Sequence, residues 1–343
     1  MMQAPSSHDI NARIDSLCKP PGSLGELESI ARKLCAIQGT LSPSVSPRRV
    51  VVFAADHGVT SEGVTAWPSE VTGLVTRVMQ SGRTASGVFA EHLHCQYEVV
   101  DVGLLARLPA SRIPGSAVQF IDAAGRRGTG NLRFAAAMTG EEFDHAWAVG
   151  SARADAANDD GCRLVIGGEM GIGNTTAASC LVSLLAGVDV QDAVGRGAGL
   201  NDIGLAKKVR VVEDAIARVR ALEPLDAQQI GCEVGGLEIV ALSGFYARAA
   251  ALGLVIILDG YIATSAALLA DAIHPQTKLN MIAGHRSAEP GHQAALQQLG
   301  LSPVLDLGCR LGEGTGALAA LPLVDLAAAM INGMATLAEL ESP

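Results

Sequence analysis

The sequence predicts an α/β fold in which a mostly parallel sheet is flanked by helices. Short apolar runs rich in Val and Ile recur along the chain without polar alternation, the pattern of strands buried on both faces. Ala-rich helical stretches separate most of them, and strand–helix–strand repetition requires right-handed parallel crossovers. Composition agrees. Hydrophobic residues make up 49% of the 343 residues and aromatics only 3%, so Ala, Gly, Val and Leu must fill the interior. That length suits one α/β domain with a smaller attachment.

The chain begins with a helical stretch to about Thr40, followed by a Ser- and Pro-containing linker over 40–47. Six apolar runs follow, and nearly all stop at polar or glycine tips. Run 50–55 stops at Asp56-His57-Gly58, run 98–100 at Asp101-Val102-Gly103, and run 164–166 at Gly167-Gly168-Glu169. Run 254–258 stops at Asp259-Gly260, run 281–283 at Gly284-His285, and run 304–307 at Gly308. Ligands of parallel sheets sit beyond the carboxyl ends of the strands, where these Gly, Asp, Glu and His residues collect. From about Leu318 the chain is helical again. The expected division is a large domain over 45–315 and a small helical domain joining 1–44 with 316–343.

Lys plus Arg total 25 against 35 Asp plus Glu, a net charge of −10, which argues against nucleic acid and anionic membranes as partners. The seven cysteines are scattered without a C-x-x-C pair, as expected of reduced thiols in a cytoplasmic protein. The N-terminus lacks a basic region followed by an apolar stretch, and the longest apolar run, 249–258, is too short for a bilayer. A soluble cytoplasmic protein is the expectation.

Four motifs are candidates for chemistry. Gly167-Gly168-Glu169-Met170-Gly171-Ile172-Gly173-Asn174-Thr175-Thr176 follows a strand and opens a helix. Its glycines admit a ligand close to the backbone, Asn174 or Thr175 is placed to cap the helix, and the helix start suits a phosphate. It is neither a Walker loop nor a dinucleotide fingerprint. Gly195-Arg196-Gly197-Ala198-Gly199, with Lys207 and Lys208 beyond it, is a second glycine turn with cations near an anion site. Gly284-His285-Arg286-Ser287-Ala288-Glu289-Pro290-Gly291-His292 has no metal-binding spacing and reads as a loop bonding phosphate or ribose. Arg310-Leu311-Gly312-Glu313-Gly314-Thr315-Gly316 sets one carboxylate among glycines, with room for a ligand and a pKa raised toward that of a general base.

With Lys19-Pro20-Pro21-Gly22-Ser23-Leu24-Gly25, Ala55-Asp56-His57-Gly58-Val59 and Asp259-Gly260, the first and last of these motifs run in order over almost the whole chain. Together they resemble the nicotinate-nucleotide:dimethylbenzimidazole phosphoribosyltransferases. The resemblance implies a Rossmann-like parallel sheet, a small domain built from both termini, and a homodimer. It implies attack by a benzimidazole nitrogen on C1′ of nicotinate mononucleotide, inversion to the α-ribotide, and departure of nicotinate as a neutral ring. No metal or other cofactor is implied.

Carried over by position, Glu313 matches the general base and Glu169 a second active-site carboxylate. Gly171, Gly173, Asn174, Thr175, Gly197, Lys208 and Ser287 match the nucleotide and phosphate site. Trp67, Val75 and Leu311 fall in the base pocket. Some members carry a small polar residue near Trp67 and an amide near Val75, so this pocket is tighter and more apolar. Another benzimidazole, a purine or a phenol remains an alternative acceptor. A non-catalytic nucleotide- or base-binding protein and a nicotinamide-dinucleotide dehydrogenase are the competing classes; the glycine order disfavours the latter.

Overall fold

The computed structural model describes residues 4–109, 113, 115–222 and 224–340. Its strands are β1 (Arg48–Ala55), β2 (Gln96–Gly103), β3 (Gln119–Asp122), β4 (Leu164–Met170), β5 (Val255–Leu258), β6 (Met281–His285) and β7 (Pro303–Leu305). They form one sheet in the order β3-β2-β1-β4-β5-β6-β7, with every neighbouring pair parallel. This is a Rossmann-like arrangement, as the resemblance implied.

The six expected runs all fall on strands, with one addition and some shifted ends: β2 continues through Asp101 to Gly103, and β7 ends at Leu305. β3 is an addition: it is a four-residue edge strand with no fully buried position. β4 continues through Gly167, Gly168 and Glu169 to Met170, so the first four residues of the first glycine motif are strand, not loop. β6 likewise includes Gly284 and His285. In β4 and β6 parallel hydrogen bonding to a neighbour carries the strand past the end of its apolar run.

Side chains of the central strands alternate between two cores. Val51, Phe53 and Ala55 of β1 face a layer containing the helices Gly140–Asp159, Asn174–Ala186, Leu237–Ala251 and Tyr261–Ile273. Val50 and Val52 face the helices Ser7–Asp15, Glu26–Gln38, Ala85–His92 and Thr315–Gly333. Both faces are therefore covered, which is why the strands read as continuous apolar runs.

The terminal segments meet on the second face. Arg13 Nη2 donates to Ile331 O at 3.0 Å, Asn332 Nδ2 to Pro43 O at 2.9 Å, and Leu17 bridges to Thr336. The helix Thr315–Gly333 is long and apolar enough to cross a bilayer, but Leu318, Leu321, Val324 and Ala327 are buried in this core.

Local chemistry sets the helix starts. Thr139 opens Gly140–Asp159 with a capping box: its hydroxyl accepts from Glu142 N, while Glu142 Oε2 accepts from Thr139 N. That helix crosses Leu237–Ala251 so closely that a Cβ on Gly150 would lie 1.7 Å from the Ala241 carbonyl oxygen. Gly150→Val is expected to cost about 3 kcal/mol in urea unfolding, because neither backbone can retreat without opening the core. At Gly140, where an added Cβ meets nothing within 4 Å, Gly140→Ala should leave the urea midpoint almost unmoved.

Candidate active site

The strand order reverses beside β1, whose two neighbours, β2 and β4, lead in opposite directions across the sheet. A crevice opens at the carboxyl ends of strands that diverge in this way. A cavity of about 490 Å³ lies there. Its wall includes Glu169 at the end of β4, Asp259 after β5, His285 at the end of β6, and Glu313 in the loop after β7.

Eleven of the twelve expected site residues line this one cavity: Trp67, Val75, Glu169, Gly171, Gly173, Asn174, Thr175, Gly197, Ser287, Leu311 and Glu313. Lys208 is the exception. It is fully buried behind the wall, where Nζ donates to Thr175 Oγ1 at 2.7 Å and to Gly195 O at 3.1 Å. Burial pulls its ammonium down to about 8, against the opposing pull of Glu289. Lys208 therefore braces Thr175 against the second glycine turn and presents no surface to the cavity.

The helix cap also differs from expectation. Gly173, in the left-handed region at φ +96°, is the N-cap of Asn174–Ala186, and no side chain caps the helix. Asn174 instead turns its amide onto Glu169 Oε2. Burial, then the neighbouring Glu238 and Asp259 carboxylates, raise Glu169 to about 8, although Asn174 acts in the opposite direction.

Glu313 sits on a loop that lies directly on the sheet. Gly168 makes this contact possible, since a Cβ there would come within 2.5 Å of the Glu313 carbonyl carbon. Glu313 is itself left-handed, at φ +63°, between Gly312 and Gly314, which are also left-handed. A non-glycine residue in that region costs on the order of 1 kcal/mol and persists only where its surroundings impose it. Here Asp259 imposes it. Its Oδ2 accepts from Gly314 N at 3.1 Å, and its Oδ1 accepts from Gly316 N at 2.7 Å and Ala317 N at 3.2 Å.

Burial alone would raise Asp259, but His285, 3.5 Å away, and these backbone donors hold its pKa below the ordinary carboxylate value. The pKa of Glu313 is raised, because burial outweighs its hydrogen bonds to Ser86 and Thr84.

The two histidines of the 284–292 motif separate in role. His285 lines the cavity, whereas His292 is fully buried behind it. His292 Nδ1 accepts from Ser287 N at 2.8 Å, and its Nε2 meets Thr264 Oγ1 at 2.9 Å. Burial pushes this imidazole down to about 3, so it stays neutral and fixes the Ser287 loop. Asp56 and His57 do not line the cavity. Asp56 accepts from Ser69 Oγ at 2.6 Å and Leu105 N at 2.8 Å, and His57 pairs with Glu238 at 2.7 Å. They tether the segment that carries Trp67.

Sequence reasoning assigned no role to Asp259, although its position at a strand tip was a usable signal. Ser86 and Tyr97, which stand behind Glu313, carried no signal at all. A second cavity of about 440 Å³, at Trp147 and His274, lies away from all of these groups.

Fold and site are those of a Rossmann-like α/β transferase, and a family model described as "Phosphoribosyltransferase" matches residues 2–341. The nicotinate-nucleotide–dimethylbenzimidazole phosphoribosyltransferase of Chromobacterium violaceum is 46% identical over 328 residues, covering 96% of this chain and 93% of that protein. Its counterpart from Thermus thermophilus is 43% identical, covering 95% of each. The crystal structure of CobT from Thermus thermophilus superposes with a TM-score of 0.93 at 41% identity, covering 98% of each chain. The chain belongs to the nicotinate-nucleotide–dimethylbenzimidazole phosphoribosyltransferase family.

The buried carboxyl groups generate two predictions. Glu169 has a folded-state pKa of about 8 against an ordinary 4.5, so between those values the folded chain binds the proton more tightly than the unfolded chain. The resulting stability is fully present below about pH 4.5 and is lost as pH rises through 8. Glu169→Gln should therefore match wild type in Tm near pH 4.5 and exceed it by about 2–4 °C at pH 8.5, read by scanning calorimetry. Asp259→Asn keeps the shape but turns one acceptor into a donor facing backbone N–H groups. It should cost about 2–3 kcal/mol in urea unfolding.

Proposed function

We propose that this chain transfers the 5-phosphoribosyl group of nicotinate mononucleotide to 5,6-dimethylbenzimidazole. The products are α-ribazole 5′-phosphate and nicotinate, and the step belongs to cobalamin biosynthesis. The observation that carries this reading is Glu313: a buried carboxyl group with a raised pKa, facing a cavity lined by two chemically different sets of residues. One set is the glycine turns with Asn174, Thr175 and Ser287, suited to a phosphorylated ribose. The other is Trp67, Val71, Val75, Met170, Ile172 and Leu311, suited to a flat apolar bicycle.

In this reaction the unprotonated benzimidazole nitrogen bonds to C1′ as the bond to the pyridinium nitrogen breaks. The bonding pair returns to the nicotinate ring, which leaves without needing an acid. Glu313 takes the N–H proton from the other benzimidazole nitrogen. Glu169 is protonated in the empty site at neutral pH; the cationic nicotinate ring favours its carboxylate, which then faces the positive charge building on the ribose. The nucleotide residues are Gly171, Gly173, Asn174, Thr175, Gly197 and Ser287, with Lys208 bracing Thr175. No metal or cofactor enters these steps.

The apolar wall favours a benzimidazole over a purine or a phenol, whose polar substituents would lose hydrogen bonds to water there. The working protein is a homodimer in the cytoplasm. In support, the helix Glu70–Gln80 buries Met79 but leaves the large apolar side chains Leu74 and Val78 exposed, a surface that a second copy could cover. All seven cysteines are free thiols, as in a reducing compartment.

The test is nicotinate release from nicotinate mononucleotide, with and without 5,6-dimethylbenzimidazole, followed by chromatography with mass detection. Base-dependent release with matching ribotide is expected, and Glu313→Gln should lower turnover by roughly 10²–10⁴. Tight nucleotide binding without release for any base would instead favour a carrier.

A further inference from the structure

Glu313 is held from behind by a chain of hydroxyl groups contributed by two other elements. Ser86, in the first turn of the helix Ala85–His92, places Oγ 2.8 Å from Glu313 Oε2. Tyr97, on β2, places its hydroxyl 2.7 Å from the same Oγ, and Thr84 Oγ1 lies 3.1 Å from it. Ser86 is fully buried and Tyr97 nearly so. The direction of the chain follows from counting protons. An ionised carboxylate only accepts, so the single Ser86 proton points at Glu313, and the Tyr97 proton must then point at Ser86.

The geometry points to Ser86 and Tyr97 as positioning residues for the base: they fix the Glu313 carboxylate in one rotamer and favour its charged form, leaving its other oxygen for the acceptor's N–H. This rests on the proposed reaction, and it answers a difficulty that the site creates for itself. Glu313 is buried, and the ionisable groups around it include the Glu169 carboxyl on β4 and the Asp259 carboxylate beyond β5. Tyr97 is the third, and burial raises its phenol to about 12, so it remains a donor throughout the working range. Burial and negative neighbours both favour a protonated Glu313, and a protonated base cannot accept the proton. Hydrogen bonds donated to the carboxylate oppose them in part, and Ser86 and Thr84 are the groups that donate here.

The test compares Ser86→Ala and Tyr97→Phe with wild type in the pH profile of kcat for nicotinate release, at saturating nucleotide and base. Ser86→Ala should move the acid limb up by about one pH unit, the scale of one hydrogen bond to a charged group. KM for the nucleotide should stay within about twofold, since neither residue lines its wall. Tyr97→Phe should move the limb the same way by a smaller amount. An unmoved limb, or a rise in KM alone, would overturn the assignment and leave both residues a packing role. If wild type turns over no base at all, the proposed reaction fails separately. The carboxyl band of Glu313 can still be titrated by infrared difference between each protein and its Glu313→Gln partner. Ser86→Ala must then raise that titration; no change overturns the positioning role.

Discussion

The site depends on one buried ion: the Asp259 carboxylate at the start of the helix Thr315–Gly333. Three backbone N–H groups of one turn converge on it, and a helix N-terminus carries partial positive charge that favours an anion. This contact ties the tip of β5 to a loop more than fifty residues further along the chain. It holds Glu313 in a left-handed conformation that its own side chain disfavours. Without it nothing in the local sequence of 312–314 would choose that geometry. Gly168 completes the arrangement, since a bare strand position lets the loop rest on the sheet.

The same clamp brings a surplus of acid into a dry place. Glu169, Glu238, Asp259 and Glu313 are all buried in or near the cavity, while the buried basic side chains beside it, His57, His285, His292 and Lys208, are each paired or placed behind its lining. The molecule resolves this unevenly. Asp259 has three backbone donors and stays charged; Glu169 has one amide and takes a proton instead. Such divergence between neighbouring carboxyl groups marks sites built to handle protons and positive charge. A cationic ring entering the cavity would find acid already waiting for it.

Much of this was legible in the sequence, for identifiable reasons. Strands buried on both faces write themselves as apolar runs, so β1, β4, β5 and β6 could be read directly, as could the polar tips that line the cavity. β3 could not, because a half-exposed edge strand such as Gln119–Asp122 has no such run. The glycines of β4 resembled a loop because glycine is rare within strands, and here its role is to admit a neighbouring backbone. Lys208 resembled half of a surface pair with Lys207, yet it is fully buried. Its partners, Thr175 and Gly195, belong to other turns and are adjacent only after folding. Ser86 and Tyr97 are ordinary residues until the sheet places them behind Glu313.

The division of the cavity follows from the topology. Beyond β4, β5 and β6 the chain enters helices or tight turns through glycine, asparagine, threonine and serine, so the backbone is exposed to a ligand there. Beyond β1 the chain takes a long path through Val64, Trp67, Val71 and Val75 before it enters β2, and that path supplies much of the apolar lining, with Met170, Ile172 and Leu311. Asp56 and His57 hold its start, through Ser69, Leu105 and Glu238. Glu313 joins the same cavity from a third segment, the loop after β7. In the proposed reaction, a donor held by the glycine turns and a base held by the apolar side chains would meet at one atom, C1′, in the cavity that Glu313 lines.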